Sequence, residues 1–271
     1  MQLITLVELE LEAFKGGSLP AFPGAESRAA FLALLNAADP QVASDLHAGR
    51  EGRSVYAIKP LRFKTGYTHI KTSKTGLGSI LYTPGARAEL KVAIMDDELS
   101  RKAVLAVASK PSQLTVGETP FALTAISVSV IDPKQILDSG SENTSEADLH
   151  FQTPTYFNPI NGDQKYKILY PEPTHLLASL IATAHSLTGR SYEKPQTLAD
   201  KVFISGLSIR TPPIQAQNPA PNGFTGWAKL RFKPEAQPSD KKTITGLLKL
   251  GELTNIGGNR SAGYGVLQVK I

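Results

Sequence analysis

The segment LITLVELELEAF, residues 3–14, places Val7, Leu9 and Leu11 in alternation with three glutamates, Glu8, Glu10 and Glu12. An apolar residue at every second position is typical of a β-strand with one face buried and the other in water. We therefore predict that residues 3–14 form a half-buried strand.

The segments that follow predict an alternation of helices and strands. Residues 25–38 have the apolar period of a helix, and Asp39-Pro40 suits the start of a short helix over 40–47, which Gly49 would end. The next predicted elements are strands at 53–63, 77–83 and 89–95, a helix at 97–109 with Asp96 and Asp97 placed for capping, and strands at 112–117 and 121–131. This order is that of a ferredoxin-like βαββαβ domain.

The second half of the chain repeats this order approximately. The acidic segment DSGSENTSEAD (138–148) predicts a loop, and it is followed by a helix at 174–188, strands at 202–210 and 225–233, a helix at 239–250 and a last strand at 264–271. We predict an α+β fold of two tandem ferredoxin-like, RRM-like βαββαβ domains, an N-terminal one over 1–125 and a C-terminal one over 126–271.

Composition narrows the class of protein. The chain has 271 residues, 41% of them hydrophobic, and a formal net charge of +5, which suits an acidic partner such as nucleic acid. It has no cysteine, so disulfides, thiolate nucleophiles and cysteine-ligated zinc are excluded. The acidic start and the lack of any long apolar run predict a cytoplasmic protein with no signal peptide and no membrane span.

A basic stretch lies in the first half. Its only acid is Glu51, and its cations are Arg50, Arg53, Lys59, Arg62, Lys64, Lys71 and Lys74. Tyr56, Phe63, Tyr67 and His69 are interleaved with them. Cations attract phosphates and aromatic rings stack on unpaired bases, so the pattern favours nucleic-acid binding. The alternative is a solvated strand edge that its lysines protect from aggregation.

His47 is the strongest candidate for chemistry among the five histidines. A histidine can transfer protons near neutral pH, and nearby Arg50 and Arg53 could stabilise negative charge on a phosphate. The alternative is a histidine that caps a helix end. His69 is the rival candidate, and no pair of histidines has the spacing of a metal site, so no cofactor is expected.

The C-terminal segment GELTNIGGNRSAGYGVLQVKI concentrates five glycines around Arg260. A dinucleotide fingerprint would need a strand before the glycines and a helix after them, and a phosphate loop would need Gly-Lys-Ser/Thr opening a helix, so both are rejected. A loop between a helix and the final strand remains. Its glycines could bring backbone N–H groups close to a phosphate, or they could only form a tight turn.

Several segments resemble one family in the expected order. IGGNRSAGYGVLQV (256–269) resembles the glycine-rich loop of the RAMP superfamily of CRISPR proteins, and DLHAGREGRSVYAIKPL (45–61) resembles the histidine region of its repeat-processing endoribonucleases. LHFQTPTYF (149–157) is similar to the opening of the family's second domain, and GFTGWAKLRF (223–232) is similar to a later strand of that domain. The chain departs from the family in lacking a tyrosine over 22–46 and in having Lys59 in place of a small residue.

This resemblance implies an endoribonuclease that cuts CRISPR repeat RNA, the precursor of guide RNA, without a metal. Attack by a 2′-OH would leave a 2′,3′-cyclic phosphate and a 5′-OH. The resemblance gives His47 the acid or base role and Arg53 charge stabilisation. RNA contacts would come from Arg50, Lys59, Arg62, Lys64, Gly257, Gly258, Asn259, Arg260, Ser261 and Gly263.

Two other functions remain open at this point. A non-catalytic RAMP subunit would hold guide RNA among the subunits of a CRISPR effector complex, and it would show the same loop and basic surface. A ferredoxin-like protein that binds a small ligand, or is purely structural, would show little affinity for RNA. The sequence leaves open whether the protein is a monomer or a homodimer.

Overall fold

The computed structural model describes residues 2–42, 44, 55–71, 78–109, 112–160, 162, 166–212 and 221–271. His47, Arg50 and Arg53 lie outside the described residues. The helices within these ranges are too short or too polar to cross a membrane.

The first half of the chain forms two sheets. Its elements are β1 (Ile4–Ala13), β2 (Gly17–Pro20), α1 (Gly24–Ala38), β3 (Tyr56–Phe63), β4 (Tyr67–Lys71), β5 (Gly78–Tyr82), β6 (Arg87–Ile94), α2 (Asp97–Ala108), β7 (Gln113–Val116) and β8 (Thr119–Ile131). The main sheet is antiparallel in the order β3-β6-β1-β8-β7, and a small sheet has the order β2-β5-β4. Strands β3, β6, β1 and β8 with helices α1 and α2 therefore form a ferredoxin-like unit.

The second half repeats the unit. Its elements are α3 (Pro133–Asp138), β9 (Glu146–Thr155), α4 (Pro173–Thr188), α5 (Pro195–Ala199), β10 (Val202–Arg210), β11 (Phe224–Phe232), α6 (Pro238–Thr254), a 3₁₀ helix (Arg260–Ala262) and β12 (Leu267–Lys270). The sheet order β10-β11-β9-β12 matches β3-β6-β1-β8 position by position. The predicted α+β fold of tandem ferredoxin-like units is confirmed, while the division at residue 125 stays a proposal.

The strand predicted at 77–83 is confirmed as β5, although it pairs with β2 and β4 in the small sheet and does not join the main sheet. Two other parts of the element prediction were wrong. The last residues of the predicted acidic loop belong to a strand, because β9 begins at Glu146. The Glu146 carboxylate accepts a hydrogen bond from the Lys229 ammonium on the neighbouring strand β11. Helix α3 was not predicted; Asp132 caps it, and Pro133 stands in its first turn.

Local capping chemistry sets several helix ends. The Asp96 carboxylate accepts the Leu99 N–H at 2.9 Å, so the predicted cap of α2 is confirmed. Gly189 caps the C-terminus of helix α4, and its φ of 67° is the left-handed conformation that glycine adopts readily.

The two faces of β1 have different partners. Val7, Leu9 and Leu11 point into the first core, where α1 and α2 pack. On the opposite face, Ile4 is fully buried in the second core, whereas Glu8 reaches the Lys91 ammonium at 3.1 Å. The outer face of the first sheet is therefore apolar where the second unit packs on it and charged where a cleft opens.

Candidate functional site

A β-bulge in β3 forms the centre of the candidate site. The pairing register with β6 shifts between Lys59 and Arg62, so one additional residue is accommodated at Pro60. Proline has no N–H to donate to a sheet, which makes it suited to such a position. The next residue is held in place, because the Leu61 N–H donates to the buried Ser27 hydroxyl at 2.8 Å and that hydroxyl donates to the Pro23 carbonyl at 2.6 Å.

The glycine-rich loop packs directly on this bulge. Gly263 has a φ of 81°, and a side chain there would collide with the Pro60 ring. On the far side of the loop, a side chain at Gly24 would collide with the Ala262 carbonyl. Two glycines are therefore required for close approach of the loop to the first unit.

Several glycine N–H groups of the loop are used within the protein. Gly257 N–H donates to the Ser179 hydroxyl at 2.8 Å, and Gly258 N–H and Gly265 N–H donate to the carbonyls of Tyr156 and Pro154 at 3.1 and 3.0 Å. The glycines thus have a packing role in addition to any role toward phosphate. Asn259 at the tip of the loop is exposed, and Ser261 is partly exposed.

Asn255 joins the loop to the first unit. Its side-chain N–H₂ donates to the Ile58 carbonyl at 2.8 Å and to the Tyr264 carbonyl at 3.0 Å, and the residue is 1% exposed. Hydrogen bonds shielded from water are costly to break without a replacement. We infer that the loop and β3 move as one piece.

An aromatic cluster supports the loop from behind. The Tyr264 ring meets Phe22 and Tyr156 edge to face at 5.0 and 5.8 Å, and its hydroxyl donates to the Pro221 carbonyl at 3.1 Å. Burial, and then the neighbouring Tyr156, raise the pKa of Tyr264 to about 12. Tyr264 is therefore neutral at physiological pH and is no candidate for a general base.

A cleft of about 1100 Å³ opens beside the bulge and the loop, between the two units. One wall comes from β3, β4, β6 and the segment before α1, and the other from the ends of β9, β10, β11 and β12. Its charged and histidine side chains are Lys59, Arg62, His69, Lys91 and Arg210, against Glu89 and Glu252. The cleft can accept an anionic ligand.

The pKa of Lys59, a cation that lines the cleft, is shifted by its surroundings. Lys59 stands directly opposite Lys91 in the β3–β6 pairing, and like charges at opposed positions repel. Burial, and then Lys91, lower the pKa of the Lys59 ammonium. A cation with a perturbed pKa that lines a cleft is a candidate functional residue.

Glu89 holds the other cations of this wall. Its carboxylate lies 3.2 Å from Arg62, 3.1 Å from Lys64 and 3.7 Å from Lys91. Burial acts to raise the pKa of Glu89, but the Lys64 hydrogen bond and the charges of Lys91, Lys64 and Arg62 outweigh it and leave the pKa lowered. Arg62 and Lys64 are thus both paired with Glu89 on this wall of the cleft.

The structure brings together only part of the predicted site. Lys59 and Arg62 line the cleft, Lys64 lies beside it, and the glycine loop borders it at Gly263. Arg260 points elsewhere, since its guanidinium donates to the Thr183 hydroxyl at 3.0 Å.

Sequence reasoning missed the second wall, where Gln152, Arg210, Thr225 and Gln268 lie. These are polar residues at strand ends, and no local pattern distinguishes them from ordinary surface residues.

Comparisons with known proteins agree with this fold. Residues 149–267 match the family model of the CRISPR-associated endoribonuclease Cas6. A Cas6 product complex is 20% identical with a TM-score of 0.72, covering 99% of both chains. A Thermus thermophilus Cas6 is 19% identical with a TM-score of 0.71, covering 100% of this chain and 99% of the other.

A Cas6-related protein from Pyrococcus furiosus is 11% identical with a TM-score of 0.63, covering 98% of both chains. No curated protein matches the sequence. The resemblance to CRISPR-associated repeat-processing endoribonucleases of the RAMP superfamily is therefore confirmed, since residues 149–267 match the Cas6 family model and the whole chain has the fold of solved Cas6 proteins.

Proposed function

We propose that this chain is an endoribonuclease that binds CRISPR repeat RNA and cuts it into mature guide RNAs. The observation that carries the proposal is the family match over 149–267, whose glycine-rich loop packs on β3 at the edge of a cationic cleft. One of the structures with this fold is a Cas6 bound to its product.

The proposed reaction needs no metal. A general base takes the proton of a ribose 2′-OH, the 2′-oxygen bonds to the adjacent phosphorus, and the bond from phosphorus to the 5′-oxygen breaks. The departing 5′-oxygen takes a proton from a general acid, so the products carry a 2′,3′-cyclic phosphate and a 5′-OH. His47 supplies one of the proton transfers, and Arg53 stabilises the negative charge that grows on the phosphate.

The binding role falls on cations and on the loop tip. Lys59, Arg62 and Lys64 lie in or beside the cleft, and Arg50 is the further predicted contact. Each phosphate neutralised by a lysine or arginine releases counterions, so the affinity should fall steeply as salt rises. Asn259, which is exposed, and Ser261, which is partly exposed, supply the contacts of the loop to RNA.

The decisive experiment incubates the purified protein with its repeat RNA in excess EDTA. Cleavage with cyclic-phosphate ends is expected, and a substrate with a 2′-deoxyribose at the cut position should bind without being cut. Tight binding with no products, whether or not metal is present, would instead identify a non-catalytic RAMP subunit. Binding that does not respond to salt would count against any nucleic-acid role.

Two matched variants test the site. His47→Ala should lose cleavage while keeping most of the RNA affinity, because the imidazole transfers protons and adds little binding energy. His69→Ala, the rival histidine on the cleft wall, should keep the cleavage rate. Normal cutting by His47→Ala would overturn the assignment.

A further inference from the structure

Within the described ranges, the outer face of the second sheet is exposed at Trp227, Arg231 and Gln268. Its inner face, with Leu149 and Leu230, is buried under α4 and α6 in the second core. On the outer face lies Trp227, the only tryptophan of the chain, which is 40% exposed. An exposed indole on an open sheet of this fold class needs a physical explanation, because a large aromatic side chain gains by burial.

Trp227 belongs to a row that crosses all four strands. The pairing register aligns Ser208 on β10 with Trp227 on β11, Trp227 with His150 on β9, and His150 with Gln268 on β12. The row contains an aromatic ring and several hydrogen-bonding groups and no carboxylate. These are the groups that recognise an unpaired base by stacking and by its polar edge.

The charged side chains of this sheet face differ on the two sides of the row. Away from the cleft lies Lys229, whose ammonium is 2.7 Å from Glu146 and 3.5 Å from Asp148, so this region is rich in carboxylates. Toward the cleft lie Gln152 and Arg210, which line it. A polyanion leaving the cleft would meet Trp227 before it met the carboxylates that repel it.

The indole contacts the neighbouring strand β10 at Gly206. A side chain at Gly206 would lie 3.1 Å from Cζ3 and 3.2 Å from Cη2 of Trp227, so this end of the ring packs against the glycine. Trp227 is nevertheless 40% exposed, which leaves indole surface available to a ligand. Covering a glycine in a sheet is itself a structural role for an aromatic residue, and the experiment below separates that role from binding.

We propose that this face binds an unpaired nucleotide of the RNA substrate, with its base stacked on Trp227. His150 and Gln268 contact the polar edge of the base, and Arg210 contacts the phosphate on the side of the cleft. The inference rests on the proposed function and extends it, because it adds a site for a single-stranded flank to the cleft where the repeat is held.

The single tryptophan makes the test direct. Indole fluorescence is followed while repeat RNA with an unpaired flank on both sides is titrated, and the same RNA without flanks is the comparison. Quenching is expected with the flanked RNA and much less with the trimmed RNA. Trp227→Ala should bind the flanked RNA about tenfold more weakly, which is the usual effect of losing one stacked base.

Two further variants serve as controls. Trp227→Phe should keep most of the affinity, because a flat ring still covers Gly206 and stacks. Phe203→Ala removes an aromatic residue that is also 40% exposed but stands opposite Arg231, in the same cross-strand row as Glu146, and it should bind as tightly as the wild type. Thermal unfolding of each variant reports whether the fold is kept.

The outcomes are distinguishable from those of the proposed function. If the flanked RNA binds and is cut without quenching, or if Trp227→Ala binds it with wild-type affinity, the base-binding role is refuted and Trp227 only covers Gly206. If the protein binds no RNA at all, both proposals fail.

Discussion

Substituting Gly263 by alanine should destabilise the protein more than a substitution at any ordinary glycine with positive φ. Its φ of 81° is left-handed, which costs an alanine about 1–2 kcal/mol. The added methyl group also collides with the Pro60 ring, and forcing an additional carbon into a packed site costs roughly 1–3 kcal/mol. The expected loss in the free energy of unfolding is therefore about 2–5 kcal/mol.

Gly85→Ala is the matched control for this prediction. Gly85 has a φ of 77°, and a side chain there would meet nothing within 4 Å. This variant should lose only the conformational part, about 1–2 kcal/mol. Urea unfolding of both variants measures the difference, provided that the slope of unfolding free energy against urea is unchanged.

A double-mutant cycle isolates the contact itself. In a Pro60→Ala background the ring is gone, so Gly263→Ala should cost roughly 1–2 kcal/mol less than it does in the wild type. RNA affinity should fall in Gly263→Ala, since the loop would be displaced from the bulge at the cleft. Equal costs for Gly263→Ala and Gly85→Ala, or zero coupling to Pro60, would refute the argument.

Three further substitutions have defined outcomes. Lys59→Met should raise the free energy of unfolding by up to about 1 kcal/mol, because it removes a charge opposed to Lys91, and thermal unfolding measures this change. The same variant should bind RNA more weakly, and the salt dependence of its affinity should fall by about one phosphate contact, which a salt titration measures. Glu89→Gln should tighten RNA binding, because the cations paired with the carboxylate become available to phosphates. The pKa of Glu89 is lowered in the folded state, so its ionised carboxylate stabilises the fold above pH ~4.5, and this stabilisation is lost as the pH falls further. The variant should therefore lose less stability than the wild type between neutral pH and pH ~3, and an unchanged acid slope would contradict this. Tyr264→Phe should lower the free energy of unfolding by about 1 kcal/mol at neutral pH, because the hydrogen bond to Pro221 is lost. The pKa of Tyr264 is raised to about 12 in the folded state, so the wild type keeps its full stability below pH ~10 and loses stability above it. Urea unfolding above pH ~10 should show a smaller loss for the variant, which has no hydroxyl to ionise.

Local patterns were sufficient to predict much of the fold. The alternation of Val7, Leu9 and Leu11 with glutamates predicts β1, and Asp96 marks the start of α2 because a carboxylate there caps free N–H groups. These signals depend on neighbours within a few residues, so they can be read without knowing the fold. The glycine concentration before the last strand was likewise visible as a loop.

The same sequence left the roles of individual site residues open. Lys59 and Arg62 were predicted as RNA contacts, and the structure places both on the cleft, but binding by them stays a prediction. The glycines of the loop were interpreted as RNA contacts, whereas the structure shows four of their N–H groups, those of Gly257, Gly258, Gly263 and Gly265, bonded within the protein. His47 and Arg53 remain predicted from sequence alone.

The sequence by itself determined most of the order of strands and helices, the buried face of β1 and the charge of the basic stretch, because these follow from periodicity and side-chain chemistry along short segments. Only the tertiary structure decided that Ile4 meets the second core while Glu8 faces the cleft, that Gly263 packs on Pro60, and that Trp227 lies beside the cleft. These relations join residues far apart in the chain, and they depend on how two separately folded sheets pack, which no local pattern encodes.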